Sequence, residues 1–170
     1  SRTIGLAHPL SVFVPWTPRL GTEVVPDQPL TLLLQGKWNQ VPLTIGTVKD
    51  DALLFVYSAF ETPMSDFAFQ LLGGVIFFPY GSNVTSMYPV SGSDARPSLS
   101  SLGTDFLLFC PTRAIVQLMR NISTQPMWFY RFDHSLSFVD SWGDDLPFCK
   151  APGVVCHGSE LPFIFGSATL

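Results

Sequence analysis

Asp50, Asp51 and His157 are candidates for proton transfer in this sequence. Asp50 and Asp51 follow a short apolar and β-branched run, 41–47, and a buried strand delivers a functional loop at its carboxyl end in this way. His157 lies in a loop beside Gly158 and ahead of an apolar run, where a general base could be both mobile and ordered. A lone loop histidine is more often a satisfied surface or core residue, and paired loop carboxylates are often simply solvated. The local pattern alone therefore makes these residues candidates but does not assign them a catalytic role.

The cysteines bear on the histidine loop. Three are present, Cys110, Cys149 and Cys156, so one stays unpaired in any intramolecular scheme. The turn-forming pair Pro152-Gly153 lies between the last two, so we expect a small disulfide loop that joins Cys149 to Cys156.

Two glycosylation sequons begin at Asn83 and Asn121, in polar stretches where surface loops are expected. The sequons and the close cysteine pair together indicate a secreted or lumenal protein.

Composition excludes several other classes of function. The net charge is −4 and Lys and Arg form no cluster, which argues against nucleic acid and anionic membranes as partners. The apolar runs are much shorter than the roughly 20 residues needed to span a bilayer. Three histidines and three cysteines show no zinc-like spacing, so we expect neither a metal nor a cofactor.

The elements that must position Asp51 and His157 are those of an α/β fold. Strands are predicted over 41–47 and 126–132, both buried, with helices between them at 63–73 and from Pro111 to Arg120. The first of these helices should be capped by Ser65 or Asp66 and stopped by Gly73-Gly74. A short helix is predicted at Thr31–Leu34. The stretch 80–101 is expected to be mostly exposed connection, with short helical turns as the alternative. Charged residues make up only 13% of the chain, about half the usual share, which indicates apolar faces covered by other polypeptide.

The residue pattern around His157 resembles the catalytic-histidine motif of the type-B carboxylesterases and cholinesterases. The stretch from His157 to Gly166 reads His-Gly-x-Glu-Leu-x-Phe-x-Phe-Gly, and Cys-x6-Cys precedes it, as in the family's crystal-protein-like microbial branch. A second stretch, Pro42 to Asp51, is similar to the family's strand and turn that end in the triad acid. A third, from Asp105 to His134, looks like the family's helix and following strand, with His134 in a structural position.

The resemblance implies part of an α/β-hydrolase fold, a central mostly parallel sheet with flanking helices. It places Asp51 at the position of the catalytic acid and His157 at that of the base, 106 positions later, in the order that the family uses. Two departures stand out, because Asp51 replaces the usual Glu and Ala52 the usual Gly. The shorter carboxylate and stiffer turn weaken the expectation of activity only mildly, since many α/β-hydrolases use Asp as the acid.

The nucleophile elbow Gly-x-Ser-x-Gly and the glycine-rich oxyanion loop are absent from the 170 residues. The resemblance thus implies a single partial domain over 1–170, with the nucleophile region and C-terminal helices outside it. The expected function is a serine carboxylic ester hydrolase that acts on small esters and needs the serine-bearing remainder as its partner. A non-catalytic storage or adhesion protein of the same family is the alternative.

Overall fold

The structure is a computed structural model that describes residues 18–168, and it divides into two compact units after Gln40. His8, which we expect to be exposed, lies outside the described residues. The regular elements are, in chain order, α1 (Pro29–Leu34), β1 (Leu43–Val48), α2 (Leu53–Ala59), α3 (Asp66–Ile76), α4 (Gly81–Ser86), α5 (Arg96–Gly103), α6 (Cys110–Ile122), β2 (Met127–Phe132) and α7 (Leu161–Ile164). A π-helical segment, Thr104–Phe109, joins α5 to α6, and two 3₁₀ turns, Val139–Trp142 and Pro147–Lys150, precede α7.

The first unit contains one short helix, α1, which confirms the helix predicted at Thr31–Leu34. Pro29 occupies its first turn, where the missing N–H costs nothing. The helix ends as Gly36 takes a φ of +70° and the N–H of Lys37 bonds back to the carbonyl of Leu32.

The second unit is built on two parallel strands, as the sequence predicts. β1 and β2 pair in register from Leu43 opposite Met127 to Val48 opposite Phe132. Since the strands are parallel, their carboxyl ends meet at one edge, and the chain after β1 carries Asp51 there. The expectation that both strands are buried is wrong for most of their length. Only the last residues of β1 are buried and Trp128 on β2 is exposed, because these two strands are the whole sheet within residues 18–168.

A helical core forms among the elements that follow β1 along the chain. Its buried members come from α2, α3, α5 and the loops beside them: Val56, Met64, Phe69, Ala95, Leu99 and Leu102. Phe69 is fully buried. The sequence gives no prediction of α2, because its run of apolar and aromatic residues fits a short strand as well as a helix.

Helix α3 begins as predicted but ends later than predicted. The Ser65 side chain caps it by accepting the N–H of Ala68 at 3.2 Å. The predicted stop at Gly73-Gly74 is wrong, since the helix continues to Ile76. The glycines serve as a contact surface for α4, because a side chain at Gly81 would meet the Cα of Gly74 at 2.5 Å.

The expectation for 80–101 holds only in part, because the helical turns allowed for there are present but much of the stretch is not exposed connection. The stretch contains α4 and α5, and it buries Thr85, Ser98, Leu99 and Ser100. Its small polar residues are buried because their hydroxyls bond to the backbone, as Ser98 does to the carbonyl of Pro89 at 2.9 Å.

The helix expected to begin at Pro111 starts one residue earlier, at Cys110, and ends at Ile122. It continues from α5 through the π-helical segment.

The cysteine pairing follows the prediction, and the sequons do not lie in loops. Cys149 and Cys156 form a disulfide with a Cα separation of 5.6 Å, and Cys110 is free and exposed. Asn83 lies in α4 and Asn121 in the last turn of α6, both exposed. Polar composition predicted exposure correctly here but not the backbone conformation.

Candidate active site

Asp51 and His157 lie side by side, although 106 residues separate them. The Asp51 Oδ1 is 2.5 Å from the Nδ1 of His157. The Asp51 side chain is 5% exposed and that of His157 is 53% exposed, so a buried carboxylate faces an imidazole that solvent can reach. This is the geometry of an acid that orients a base.

The turn after β1 fixes the Asp51 carboxylate. Its Oδ2 accepts the backbone N–H of Val48 at 3.1 Å, and the next N–H, that of Ala52, donates to the Thr104 hydroxyl at 2.9 Å. Ala52 has a φ of −85°, a right-handed conformation open to any L-residue, so the family's glycine is not required here. The departure at Ala52 therefore leaves the turn intact.

A four-residue turn presents the imidazole. The N–H and the hydroxyl of Ser159 both donate to the carbonyl of Cys156, at 3.0 and 2.7 Å, which closes the turn with His157 at its second position. Gly158 at the third position has a φ of +88°, where a type II turn favours glycine. His157 thus projects from the corner of a closed turn.

Three contacts anchor the segment that leads into this turn. The disulfide joins buried Cys156 to buried Cys149, and Asp50 pairs with Cys156 in a parallel β-bridge. The Lys49 ammonium donates to the carbonyl of Gly153 at 2.9 Å. The loop expected to be pinned by a disulfide is therefore also tied to the segment that carries the acid.

The surroundings favour the protonated imidazole. The hydrogen bond with Asp51 raises the pKa of His157 above its ordinary value, burial opposes this shift, and the negative charges of Asp51 and Glu160 add to the rise. An ionised carboxylate only accepts, so we assign the Nδ1 as donor, which leaves the Nε2 lone pair of the neutral ring free to accept a proton. The Phe55 ring lies 5.0 Å from the imidazole, centroid to centroid, at an interplanar angle of 55°.

Sequence reasoning missed Thr104, Phe55 and the backbone of Val48. Thr104 and Phe55 lie in stretches with no motif, and their contacts arise from packing of the π-helical segment and α2 against the turn, which local patterns do not reveal. His134, predicted to be structural, packs edge-on against the Phe163 ring at 5.7 Å. Among residues 18–168, no cluster of three or more His, Cys, Asp or Glu side chains could hold a metal ion. No helix in that range is both long and apolar enough to cross a membrane.

Known proteins match nearly the whole chain. The profile of the Carboxylesterase family covers residues 2–170. The chain is 35% identical to the Crystal protein and 34% identical to the cAMP-regulated D2 protein, both of Dictyostelium discoideum, over 93% and 95% of its own length and 28% and 29% of theirs. It is 30% identical to the Para-nitrobenzyl esterase of Bacillus subtilis, over 88% of its own length and 27% of that enzyme.

The chain spans less than a third of the length of each of these relatives. Its two parallel strands and flanking helices are accordingly part of an α/β-hydrolase fold. The acid and histidine motifs, the fold and the family profile agree, and the chain belongs to the carboxylesterase family.

Proposed function

We propose that this chain supplies the acid and the base of a Ser-His-Asp triad in a carboxylic ester hydrolase. In this proposal residues 1–170 are one partial domain, and polypeptide outside them carries the nucleophilic serine. The observation that supports the proposal most directly is the 2.5 Å contact between the Asp51 carboxylate and the Nδ1 of His157.

The roles follow from the geometry. The serine would attack the ester carbonyl while the Nε2 of His157 takes its proton, and the imidazolium would return that proton to the leaving alcohol. Asp51 would hold the Nδ1–H tautomer and stabilise the charged ring, with its own orientation fixed by the N–H of Val48. The oxyanion donors, like the serine, would come from outside the chain.

The test is His157→Gln in the complete protein, assayed on a simple aryl ester. We expect kcat to fall by about 10⁶-fold, because the serine loses its base. The matched control is His134→Gln, which alters an exposed histidine that packs on Phe163 and leaves the Asp51 contact in place. Retained turnover in His157→Gln, with the control unchanged, would refute the assignment of the base.

A non-catalytic member of the family is the second candidate. The relatives favour it, because they include proteins named Crystal protein and cAMP-regulated D2 protein beside a named esterase. A serine-reactive fluorophosphonate separates the two candidates. Covalent labelling of the complete protein, lost in His157→Gln, supports the hydrolase, and an unlabelled folded protein supports the second candidate.

We further propose that the protein is secreted or lumenal and is glycosylated. The disulfide and the exposed Asn83 and Asn121 support this compartment, because disulfides persist where the surroundings are oxidising. An enzyme that removes N-linked glycans should lower the mass of the natural protein, and no change in mass would contradict glycosylation.

A further inference from the structure

We propose that Asp50 is a positioning residue, which sets the place of His157 through the backbone of Val155. This inference rests on the proposed function, since it assigns a second carboxylate to the same site. Asp50 and Asp51 are adjacent in sequence, yet they act on different parts of the histidine loop. Asp51 contacts the imidazole, and Asp50 contacts the main chain that carries it.

Asp50 bonds to the histidine loop in both directions. Its N–H donates to the carbonyl of Val155 at 3.0 Å, and its Oδ2 accepts the N–H of Val155 at 2.9 Å. The two bonds fix both polar groups of a single peptide residue, two positions before His157. The turn that carries Asp51 and the turn that carries His157 are thus joined through Val155. A shift of one turn relative to the other would break both bonds.

The bond from the Val155 N–H to the Asp50 carboxylate lies in a buried part of the structure. Val155 and Cys156 are almost completely buried, so an unpaired N–H at Val155 would lack water as a replacement partner. A bond from a backbone N–H to a carboxylate is charge-assisted and shorter than a neutral one. Loss of the carboxylate therefore shifts the loop or admits water beside it, instead of leaving the loop where it is.

The other two anchors of the loop are less directional. The disulfide tethers Cys156 to Cys149, which limits the distance from that segment but does not orient the peptide plane of Val155. Lys49 reaches Gly153 with a flexible side chain that also pairs with exposed Asp133 at 3.7 Å. The Asp50 bonds, in contrast, run from the residue next to Asp51 directly to the backbone that leads into His157.

Small displacements matter at this point. The contact between the Asp51 Oδ1 and the Nδ1 of His157 is 2.5 Å, and a misplacement of about 1 Å can lower a rate by roughly 100-fold. Asp51 and Glu160 are the charged groups that raise the pKa of His157, and the hydrogen bond with Asp51 has the largest effect. A displaced imidazole should therefore titrate at lower pH.

The experiment compares three variants of the complete protein. Asp50→Ala removes the acceptor, whereas Asp50→Asn removes the charge and keeps an oxygen that can accept the Val155 N–H. Asp133→Ala is the matched control, because it removes a carboxylate beside Lys49 without touching Val155. For each variant we would measure kcat and KM on an aryl ester, per site titrated with a fluorophosphonate, and the pKa of His157 by NMR of labelled histidine.

We expect Asp50→Ala to lose about 100-fold in kcat per titrated site with little change in KM, and to lower the pKa of His157. Asp50→Asn should recover most of both properties, and Asp133→Ala should match the parent. Equal losses in the Ala and Asn variants would overturn the proposal, because the charge would then matter and not the acceptor. A reduced number of titratable sites with unchanged kcat per site would also overturn it, since Asp50 would then serve folding alone.

The NMR measurement separates this proposal from the proposed function. If the parent protein shows no turnover and no labelling, the hydrolase assignment fails, but the pKa of His157 still reports its contact with Asp51. A lower pKa in Asp50→Ala then supports positioning in a non-catalytic protein, and an unchanged pKa overturns it.

Discussion

The carboxylate at position 51 is one methylene shorter than the glutamate usual in the family, and it still reaches the imidazole. The turn after β1 brings its Cα close enough for a 2.5 Å contact, and Val48 holds the other carboxylate oxygen. The aspartate side chain is therefore long enough at this position to contact the imidazole.

Asp51→Asn tests this role at the level of one residue. An amide that presents its N–H to the Nδ1 would select the wrong imidazole tautomer, so we expect kcat to fall by about 10⁴-fold with the fold intact. The measurement is the pH dependence of kcat/KM. Unchanged activity would show that Asp51 does not orient the base.

The direction of the pH effect follows from the raised pKa of His157. In the proposed mechanism the neutral ring is the base, so the parent should lose activity as the pH falls through the raised pKa of His157. In Asp51→Asn the remaining activity should be lost at lower pH, because the group that raises the pKa is gone. The same contact stabilises the fold fully below pH 6.5, and that stabilisation is lost as the pH rises through the raised pKa. An acid limb that does not move would contradict the coupling.

The sequence predicts the candidate residues Asp51 and His157 better than it predicts the groups that hydrogen-bond to the Asp51 turn. Asp51 and His157 could be found because they lie in motifs with a defined residue pattern. Thr104 and Val48 could not, since a hydroxyl in a helical segment and a backbone N–H carry no sequence signal until packing brings them to the turn.

At the scale of elements, the close approach of α3 and α4 decides how far α3 extends. Glycines next to each other normally predict a helix end, but here they let a second helix approach the backbone of the first. The sequence did predict the strands and their parallel order, because apolar β-branched runs separated by helices favour that arrangement. Sequence pattern could not tell a helix stop from a helix contact, since both call for glycine.

Gly81→Ala tests the helix contact. The added methyl would lie 2.5 Å from the Cα of Gly74 and 2.8 Å from the carbonyl oxygen of Gly73, and backbone atoms cannot move aside as a side chain can. We expect the free energy of unfolding to fall by about 1–3 kcal/mol. Chemical denaturation of the complete protein measures it.

Gly74→Ala is the control on the other helix. A Cβ at Gly74 meets no atom within 4 Å, and alanine favours the helix interior by about 1 kcal/mol over glycine. This variant should be as stable as the parent or more stable. Equal destabilisation by the two variants would contradict the contact.

At the scale of the whole molecule, the chain combines few charged residues with exposed apolar side chains. Phe67, Leu71 and Val75 recur every four residues along α3 and are all more than half exposed. The low proportion of charged residues predicted such surfaces, but their location required the structure. Periodicity alone cannot say which apolar face of a helix turns toward the core.

We expect the 170-residue chain, expressed alone, to bind a hydrophobic fluorescent dye strongly. Replacement of Phe67, Leu71 and Val75 together by Gln should lower the dye signal while the circular dichroism of the fold persists, because none of the three is in the buried core. Phe69→Ala is the contrasting variant, since removal of a fully buried ring should cost about 3–5 kcal/mol and raise dye binding. An equal dye signal from the parent and the triple Gln variant would contradict this prediction.

The tie between Asp50 and Val155 also has an entropic consequence. Asp51 and His157 would be held at a fixed mutual distance before the serine-bearing polypeptide docks. Their arrangement would therefore not depend on the arrival of the serine. Bringing in the serine would then restrict one relative motion, that of the serine against the imidazole, instead of two. Activity lost by separation of the serine-bearing polypeptide should accordingly return on mixing, at a rate set by diffusion and docking rather than by refolding of this site.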